Sequence, residues 1–259
     1  MTPESAASGT SADLQIRTGA EIPARRAPVP PAPATIEETG LSYEQLKQLL
    51  VKSLYAGELS GLVLADKLCL PYMLLESLVE HLRFEKLIEV RGANGSGTAG
   101  YRYALTDLGR ERGAAYFEGN GYVGPAPVPL KQYTAAMHTL KAQRGFLDRE
   151  RIAHGFTHLI VSAETLDQLG PAVNSGKSVF LYGPPGNGKT VVAEGIGRAL
   201  GGDIYVPWAL DIDGQIITIF DPVNHEVVDD EQASGGIVKG TDRDRRWVRI
   251  KRPVVTVGG

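Results

Sequence analysis

The sequence predicts a mixed α/β fold, in which a small α+β unit precedes part of a larger α/β unit built on a parallel sheet. Three observations support this prediction. Residues 41 to 106 contain three apolar-periodic segments followed by two short β-rich runs. A glycine-rich loop at residues 183 to 190 stands between an apolar run and a helical pattern. Proline-rich stretches near residues 23 to 33 and 119 to 129 separate the parts.

Composition narrows the class of protein. The 259 residues contain 27 Lys and Arg against 30 Asp and Glu, a net charge of −3, so no global cationic field is available for nucleic acid or an anionic membrane. The single cysteine, Cys69, excludes an internal disulfide and lies in an apolar run typical of a buried small hydrophobe. No run approaches the roughly 18 apolar residues of a membrane helix, and the N-terminus lacks a signal-peptide pattern. We therefore expect no membrane contact and a cytoplasmic location.

Residues 1–38 are predicted to be a disordered tail. They hold six of the sixteen prolines and no aromatic residue, so they have little apolar surface with which to offset the entropy of ordering. Residues 27–34, with the sequence APVPPAPA, fit a polyproline ligand or a solvated spacer, and the spacer is the simpler interpretation. A second stretch rich in glycine and proline predicts an interdomain linker over residues 114–135.

Residues 39–113 are predicted to form the small α+β domain. Helical spacing places Leu46, Leu50 and Leu54 on one face of a first helix over 41–56, with Ser42 as N-cap. A second helix is predicted over 63–70, and a third begins at Pro71. Strands over 86–92 and 101–106 then form an antiparallel hairpin. Three helices followed by a hairpin resemble a winged-helix domain, and residues 105–113 resemble the exit of bacterial winged-helix domains.

A winged helix raises the question of DNA binding. A helix that enters the major groove needs basic or polar side chains, whereas the third helix carries Glu76, Glu80 and Arg83 and is followed by Glu85. Residues 40 to 113 contain nine basic and nine acidic residues, which leaves no surplus for binding phosphates. The charges favour a protein-docking or regulatory role over DNA as the main partner.

The strongest motif lies at residues 183–190 and fits the phosphate-binding pattern G-x-x-x-x-G-K-[ST]. The apolar run 178–182 predicts a buried parallel strand before it, and 191–200 a helix after it that ends at Gly201 and Gly202. Small residues let backbone N–H groups turn inward around an anion, and the helix N-terminus faces the same point. Lys189 is predicted to reach the β- and γ-phosphates and Thr190 to bind Mg²⁺. The competing interpretation is a Gly-Pro turn with an incidental lysine. The predicted cofactor-binding residues are Gly183, Pro184, Pro185, Gly186, Asn187, Gly188, Lys189 and Thr190.

The loop sequence YGPPGNGKT closely resembles the Walker A loop of AAA+ ATPases. A predicted helix from Ser162 or Ala163 to about Val173 precedes it, as in these modules, and the resemblance extends from about residue 130 to the end. It is strongest to bacterial chaperone-like or MoxR-like members with an N-terminal winged helix.

The resemblance implies that residues 136–259 are the N-terminal part of an AAA+ domain that binds ATP and Mg²⁺. It also implies adenine near Leu159 and Ile160, and a homo-oligomeric ring that remodels a protein partner in the complete chain. The apolar pair at 159 and 160 fits core packing equally well.

The family pattern is incomplete in this sequence. Hydrolysis in AAA+ proteins needs a strand that ends in an Asp and a Glu, and no such pair is evident. Asp221 follows an apolar run, but Pro222 comes next and a turn is the simpler interpretation. The consecutive acids Asp229, Asp230 and Glu231 indicate a solvated run, because three neighbouring side chains do not all face one ion. We therefore expect a fragment that binds phosphate without turnover alone, and no catalytic residue is identified.

Two function classes follow from these observations. The favoured one is ATP binding, coupled to hydrolysis and protein remodelling in the complete chain. The alternative is a nucleotide-dependent regulator that binds DNA through the winged helix; a module that binds nucleotide without hydrolysis is a third possibility.

Two further sets of residues receive structural interpretations. The basic cluster near the C-terminus fits contact with nucleic acid or a neighbouring subunit, but its alternation favours an exposed strand face. His154 and His158 are four residues apart but lack the glutamate of a zincin motif, so surface or packing roles are favoured. The basic cluster comprises Arg243, Arg245, Arg246, Arg249, Lys251 and Arg252.

Overall fold

The computed structural model describes residues 30–93, 97–143, 146–157, 159, 161–228 and 243–253, which form a mixed α/β structure with small sheets. Its N-terminal unit, residues 36–119, is built around a leucine-rich core. No helix in the described ranges combines the length and the apolar character that a bilayer crossing requires. The unit contains helices α1 (Ile36–Thr39), α2 (Tyr43–Leu54), α3 (Gly61–Leu68), α4 (Tyr72–Phe84) and α5 (Asp107–Gly119), and strands β1 (Leu59–Ser60), β2 (Ile88–Ala93) and β3 (Tyr101–Leu105).

Local sequence signals start the helices of this unit. The Ser42 hydroxyl accepts from the Gln45 N–H while the Gln45 side chain accepts from the Ser42 N–H, a reciprocal cap at the start of α2. Ser60 caps α3 in the same position, and Pro71 precedes the first residue of α4. Strands β2 and β3 pair antiparallel, and β1 joins the other edge of β3. The predicted three helices and hairpin are therefore confirmed as elements.

The structure differs from the predicted tail at residues 30–38, whereas residues 1–29 lie outside the described residues. Pro33 is buried, and α1 begins after Thr35, whose side chain accepts from the Glu38 N–H. A backbone bridge also joins Pro31 to Arg243. Composition did not reveal the order of residues 30–38, because Pro31 pairs with a residue more than 200 positions away in the sequence.

The predicted linker is folded in large part. Helix α5 continues to Gly119, and the segment after it packs on the N-terminal unit. Ala126 is buried, and its N–H donates to the Leu68 carbonyl at 2.8 Å. The Tyr122 hydroxyl donates to the Pro125 carbonyl at 2.7 Å, and burial raises the pKa of Tyr122 to about 12. The proline-containing segment after α5 is therefore packed against the N-terminal unit.

A β unit follows, in which helix α6 packs on short strands. Strand β5 (Asp203–Pro207) pairs antiparallel with β8 (Trp247–Lys251) over five residue pairs, and β7 (Gln215–Thr218) pairs antiparallel with β6 (Ala209–Ile212). Val128, Tyr205, Leu210 and Trp247 form its core. The unit comprises α6 (Leu130–Gln143) and strands β4 (Val128–Pro129), β5 (Asp203–Pro207), β6 (Ala209–Ile212), β7 (Gln215–Thr218) and β8 (Trp247–Lys251).

A helical unit is inserted between β4 and β5 in the sequence. It consists of α7 (Arg149–His154), α8 (Ala163–Asn174) and α9 (Lys189–Leu200), packed around Ile152, Phe156 and Leu169. Ser162 caps α8, and α9 ends at Gly201. The predicted helices on both sides of the glycine-rich loop are therefore confirmed.

The predicted parallel-sheet core is not found in the described residues. Parallel pairing there is limited to two residue pairs between β4 and β6. The run 178–182 is not a strand, and the side chains of Phe180 and Tyr182 are both 85% exposed. A strand of a parallel sheet needs hydrogen-bonded neighbours and two covered faces, and no described segment supplies these. The prediction from the apolar run alone was therefore wrong about both strand pairing and side-chain burial at residues 178–182.

Candidate functional site

The glycine-rich loop lies exposed between the extended segment 177–182 and helix α9. Gly186 and Gly188 have φ values of +85° and +69°, which side-chain-bearing residues rarely adopt. No atom lies within 4 Å of the position that a Cβ would take at either glycine. The loop is therefore open on the side where its glycines lack side chains.

The Lys189 side chain is hydrogen-bonded to the backbone of its own loop. Its Nζ donates to the Pro184 carbonyl at 2.8 Å and to the Gly183 carbonyl at 3.1 Å. Both acceptors are neutral, so the ammonium is paired with carbonyl dipoles and not with a carboxylate. An anion inside the loop would meet this charge at the centre of the turn.

Helix α9 begins at Lys189 with Gly188 as its N-cap residue, and no side chain caps it. The first N–H groups of a helix have no acceptor within the helix, and the dipole favours negative charge there. The predicted Mg²⁺ ligand, Thr190, is exposed in this first turn. The eight predicted residues thus form one continuous loop and helix start.

Close packing fixes the position of α9. A Cβ on Gly155 would lie 2.4 Å from the Gly195 carbonyl oxygen, so the end of α7 approaches α9 at backbone distance. Arg198 Nε donates to the Gly155 carbonyl at 3.1 Å. Sequence reasoning missed this contact, although glycines within the helical pattern of α9 were a signal for close approach.

The structure describes only one of the two residues near which the family resemblance implies adenine. Leu159 is half-buried and packs on the core of the helical unit with Leu181 and Val192. Ile160 lies outside the described residues. The core-packing interpretation of Leu159 is supported.

Asp221 belongs to a turn. Its Oδ1 accepts from the Val223 N–H at 2.9 Å, its Oδ2 accepts from the Asn224 side chain, and its carbonyl accepts from the His225 N–H. These backbone and side-chain hydrogen bonds lower the pKa of Asp221. The turn interpretation is confirmed, because both carboxylate oxygens of Asp221 accept hydrogen bonds within the turn.

The acidic run 229–231 and the pair His154 and His158, which the sequence does not assign to a metal site, are described only in part. Asp229, Asp230 and Glu231 lie outside the described residues, as does His158, whereas His154 is exposed. Among the residues that the structure describes, no three His, Cys, Asp or Glu side chains are grouped to hold a metal ion.

Several residues of the basic cluster are paired with acidic side chains. Arg249 pairs with Asp203, Lys251 with Glu226, and Arg245 with Asp66. Arg246 is buried against Asp244, which corrects the expectation of an exposed strand face at this residue. Three of these partners lie 25 to 179 positions away, so the spacing did not reveal them, whereas Asp244 is two positions from Arg246.

Helix α4 presents a mixed acidic and apolar surface. Glu80, Met73 and Phe84 are exposed, whereas Glu76 accepts a hydrogen bond from Thr98. Arg83 is the exposed cation on this face. The charged side chains on the surface of α4 therefore show no excess of positive charge, as the sequence predicted.

Cys69 is half-buried at the end of α3, with φ +55°, and its thiol donates to the Asp66 carbonyl. Burial raises the pKa of this thiol to about 11, which favours the unreactive form. The interpretation of Cys69 as a packing residue and not a nucleophile is consistent with this environment.

Comparison of the chain with protein-family models, with curated proteins and with solved structures found no match.

Proposed function

We propose that the chain binds ATP with Mg²⁺ through residues 183–190. The observation that carries this proposal is the convergence of two left-handed glycines, the Lys189 ammonium and the uncapped start of α9 in one exposed loop. Each of these features favours an anion, and together they match the phosphate-binding pattern of the sequence.

The residues present fit a nucleotide phosphate chemically. No atom lies within 4 Å of the Cβ position at Gly186 or Gly188, so an anion that approaches this side of the loop meets no steric obstacle. Lys189 would exchange its two carbonyl acceptors for phosphate oxygens, a charge-assisted interaction that is stronger than the one it leaves. Thr190 would supply a hydroxyl to Mg²⁺, which neutralises phosphate charge when bound.

Coupling of hydrolysis to protein remodelling is the wider proposal, and it rests on the resemblance to AAA+ ATPases. Asp221 does not serve as the acid of such a site, because its carboxylate is engaged in its own turn. We therefore assign phosphate binding to the described residues, and we propose hydrolysis, ring assembly and a protein partner from the resemblance alone. A P-loop core and a winged-helix domain belong to the same proposal.

The alternative, a DNA-binding regulator, gains no support from α4. The exposed surface of this helix carries Glu80 and Arg83 beside the apolar Met73 and Phe84, so the acidic side chain offsets the cation. Phosphate contacts dominate the affinity of proteins for DNA and require cationic side chains.

Hydrogen–deuterium exchange with and without millimolar Mg·ATP tests the binding proposal. We expect slower exchange of the backbone amides in residues 183–192, because N–H groups that bind phosphate are protected. Inorganic pyrophosphate with Mg²⁺ should protect the same amides, since the loop recognises phosphate and not the base. Unchanged exchange in this segment with both compounds would contradict the proposal.

A further inference from the structure

The segment 243–246 contains a fully buried ion pair outside the candidate site. Arg246 and Asp244 are 2% and 3% exposed. Arg246 Nη2 donates to Asp244 Oδ2 at 2.8 Å, and Nε donates to Oδ1 at 3.0 Å. Two parallel bonds fix both side chains in one geometry.

The remaining donors of Arg246 reach segments far away in the sequence. Nη1 donates to the Thr39 carbonyl at 2.8 Å and to the Pro127 carbonyl at 3.4 Å, and Nη2 reaches Gln132 Oε1 at 3.3 Å. Gln132 in turn donates to the Glu38 carbonyl at 2.9 Å. A cation and an amide therefore bind the carbonyls at the C-terminal end of α1, where the helix dipole favours positive charge.

Further contacts join this segment and the β unit to other residues in the N-terminal part of the chain. The Asp244 N–H donates to the Pro30 carbonyl at 2.8 Å, and Arg245 pairs with Asp66 of α3 at 2.9 Å. Gln45 of α2 adds one hydrogen bond to Asp211 of β6 at 3.0 Å. The hydrogen bonds of Arg246 to Asp244, Thr39 and Pro127 are buried, so they are shielded from water and salt.

The other end of this connection is the candidate phosphate-binding helix. Strand β8 starts directly after Arg246 and pairs along the whole of β5. Arg252, just beyond β8, donates from its N–H to the Gly202 carbonyl at 3.2 Å and from Nε to the Gly201 carbonyl at 3.1 Å. These glycines follow the last residue of α9.

We infer that the buried Asp244–Arg246 pair forms an internal latch that locks the N-terminal unit onto the β5–β8 ribbon, so that both move as one body. The ribbon is in turn attached to the end of α9, and a displacement of that helix is carried to the N-terminal unit. The latch stands on its own contacts. Only its use in reporting nucleotide binding rests on the proposed function.

Distance measurements between two spin labels test the latch. Labels are placed at the exposed positions Ser77→Cys on α4 and Gln215→Cys on β7, in a Cys69→Ser background. Variants with the original latch should give a narrow distance distribution, and Arg246→Met should broaden it severalfold. Arg245→Met is the matched control, because it removes an exposed arginine one position away and should leave the distribution narrow.

Arg246→Met leaves Asp244 buried without its partner and can prevent folding. The double variant Asp244→Asn/Arg246→Met removes both charges, and Gln132→Ala removes one acceptor of Arg246 together with the hydrogen bond to the Glu38 carbonyl. We expect the double variant to broaden the distribution fully and Gln132→Ala partially, with the helical circular dichroism signal retained. A folded double variant with the original narrow distribution would overturn the inference. The measurement needs no nucleotide, so its failure is distinct from a failure of ATP binding.

Discussion

Gly195 of α9 lies directly against the ring of Phe156, and a Cβ at position 195 would approach within 2.3 Å of its Cε1 atom. The contact joins the turn after α7 to the helix that carries the candidate phosphate loop. A glycine is needed here for space and not for an unusual backbone angle.

Replacement of Gly195 by alanine should therefore destabilise the helical unit. The added methyl group has no room beside Phe156, and overpacking of this kind costs about 1–3 kcal/mol. Urea unfolding followed by circular dichroism measures the change in the free energy of unfolding. Gly119→Ala is the control, because no atom lies within 4 Å of that Cβ position. Equal stability of the two variants would show that α9 does not pack as described.

Gly186→Ala should weaken nucleotide binding through the backbone. The φ value of +85° is strained for alanine, at a cost of about 1–2 kcal/mol, which corresponds to roughly a fivefold to thirtyfold loss of affinity. Gly214 has the same φ of +85° and open space, but it lies in the β6–β7 turn. Gly214→Ala should therefore lower stability without changing ATP affinity. Similar affinities for Gly186→Ala and the original chain would argue against a role for the loop conformation.

The stability of the N-terminal unit should depend on Glu85 in acid. The hydrogen bond from Lys47, whose Nζ lies 2.6 Å from the carboxylate, lowers the pKa of Glu85. The folded state therefore binds this proton less tightly than the unfolded chain, and the contribution is complete above the ordinary pKa of 4.5. It is lost as the pH falls through the lowered value.

Glu85→Gln should accordingly flatten the acid limb of a plot of unfolding free energy against pH. Glu80→Gln, at an exposed position in the preceding helix, should leave the slope unchanged. If Glu85→Gln retains the full acid dependence, another carboxylate carries it.

Cys69 should react slowly with iodoacetamide in the folded protein. With a pKa of about 11 in place of the ordinary 9.0, the thiolate fraction near pH 8 is about a hundredfold lower. Alkylation is followed by mass spectrometry in buffer and in urea. Equal rates under the two conditions would contradict the environment described for this thiol.

The N-terminal unit could be predicted from sequence because its signals are local. Ser42 and Gln45 supply both halves of the α2 cap, and Pro71 marks the boundary before α4. The β-rich runs that became β2 and β3 are separated by glycines and small residues. Each of these signals determines the structure of residues that lie within a few positions of it in the sequence.

The parts that failed depend on distant contacts. The run around Phe180 has the composition of a buried strand, but strand pairing requires neighbours that composition does not specify. Arg246 looked like part of an exposed alternating face, yet its acceptor Thr39 is 207 positions away. The candidate loop itself was predictable because its glycines and Lys189 are consecutive and their spacing carries the chemistry.

The most direct measurement of the central claim is calorimetric titration of Mg·ATP into the original chain, Lys189→Ala and Lys177→Ala. Lys189 donates to the loop carbonyls, whereas Lys177 is an exposed lysine twelve positions earlier in the same segment. Loss of a charged hydrogen-bond donor should lower affinity about tenfold to a hundredfold in Lys189→Ala. Lys177→Ala should bind like the original chain. Equal affinity of Lys189→Ala and the original chain would contradict the proposal that this loop binds phosphate.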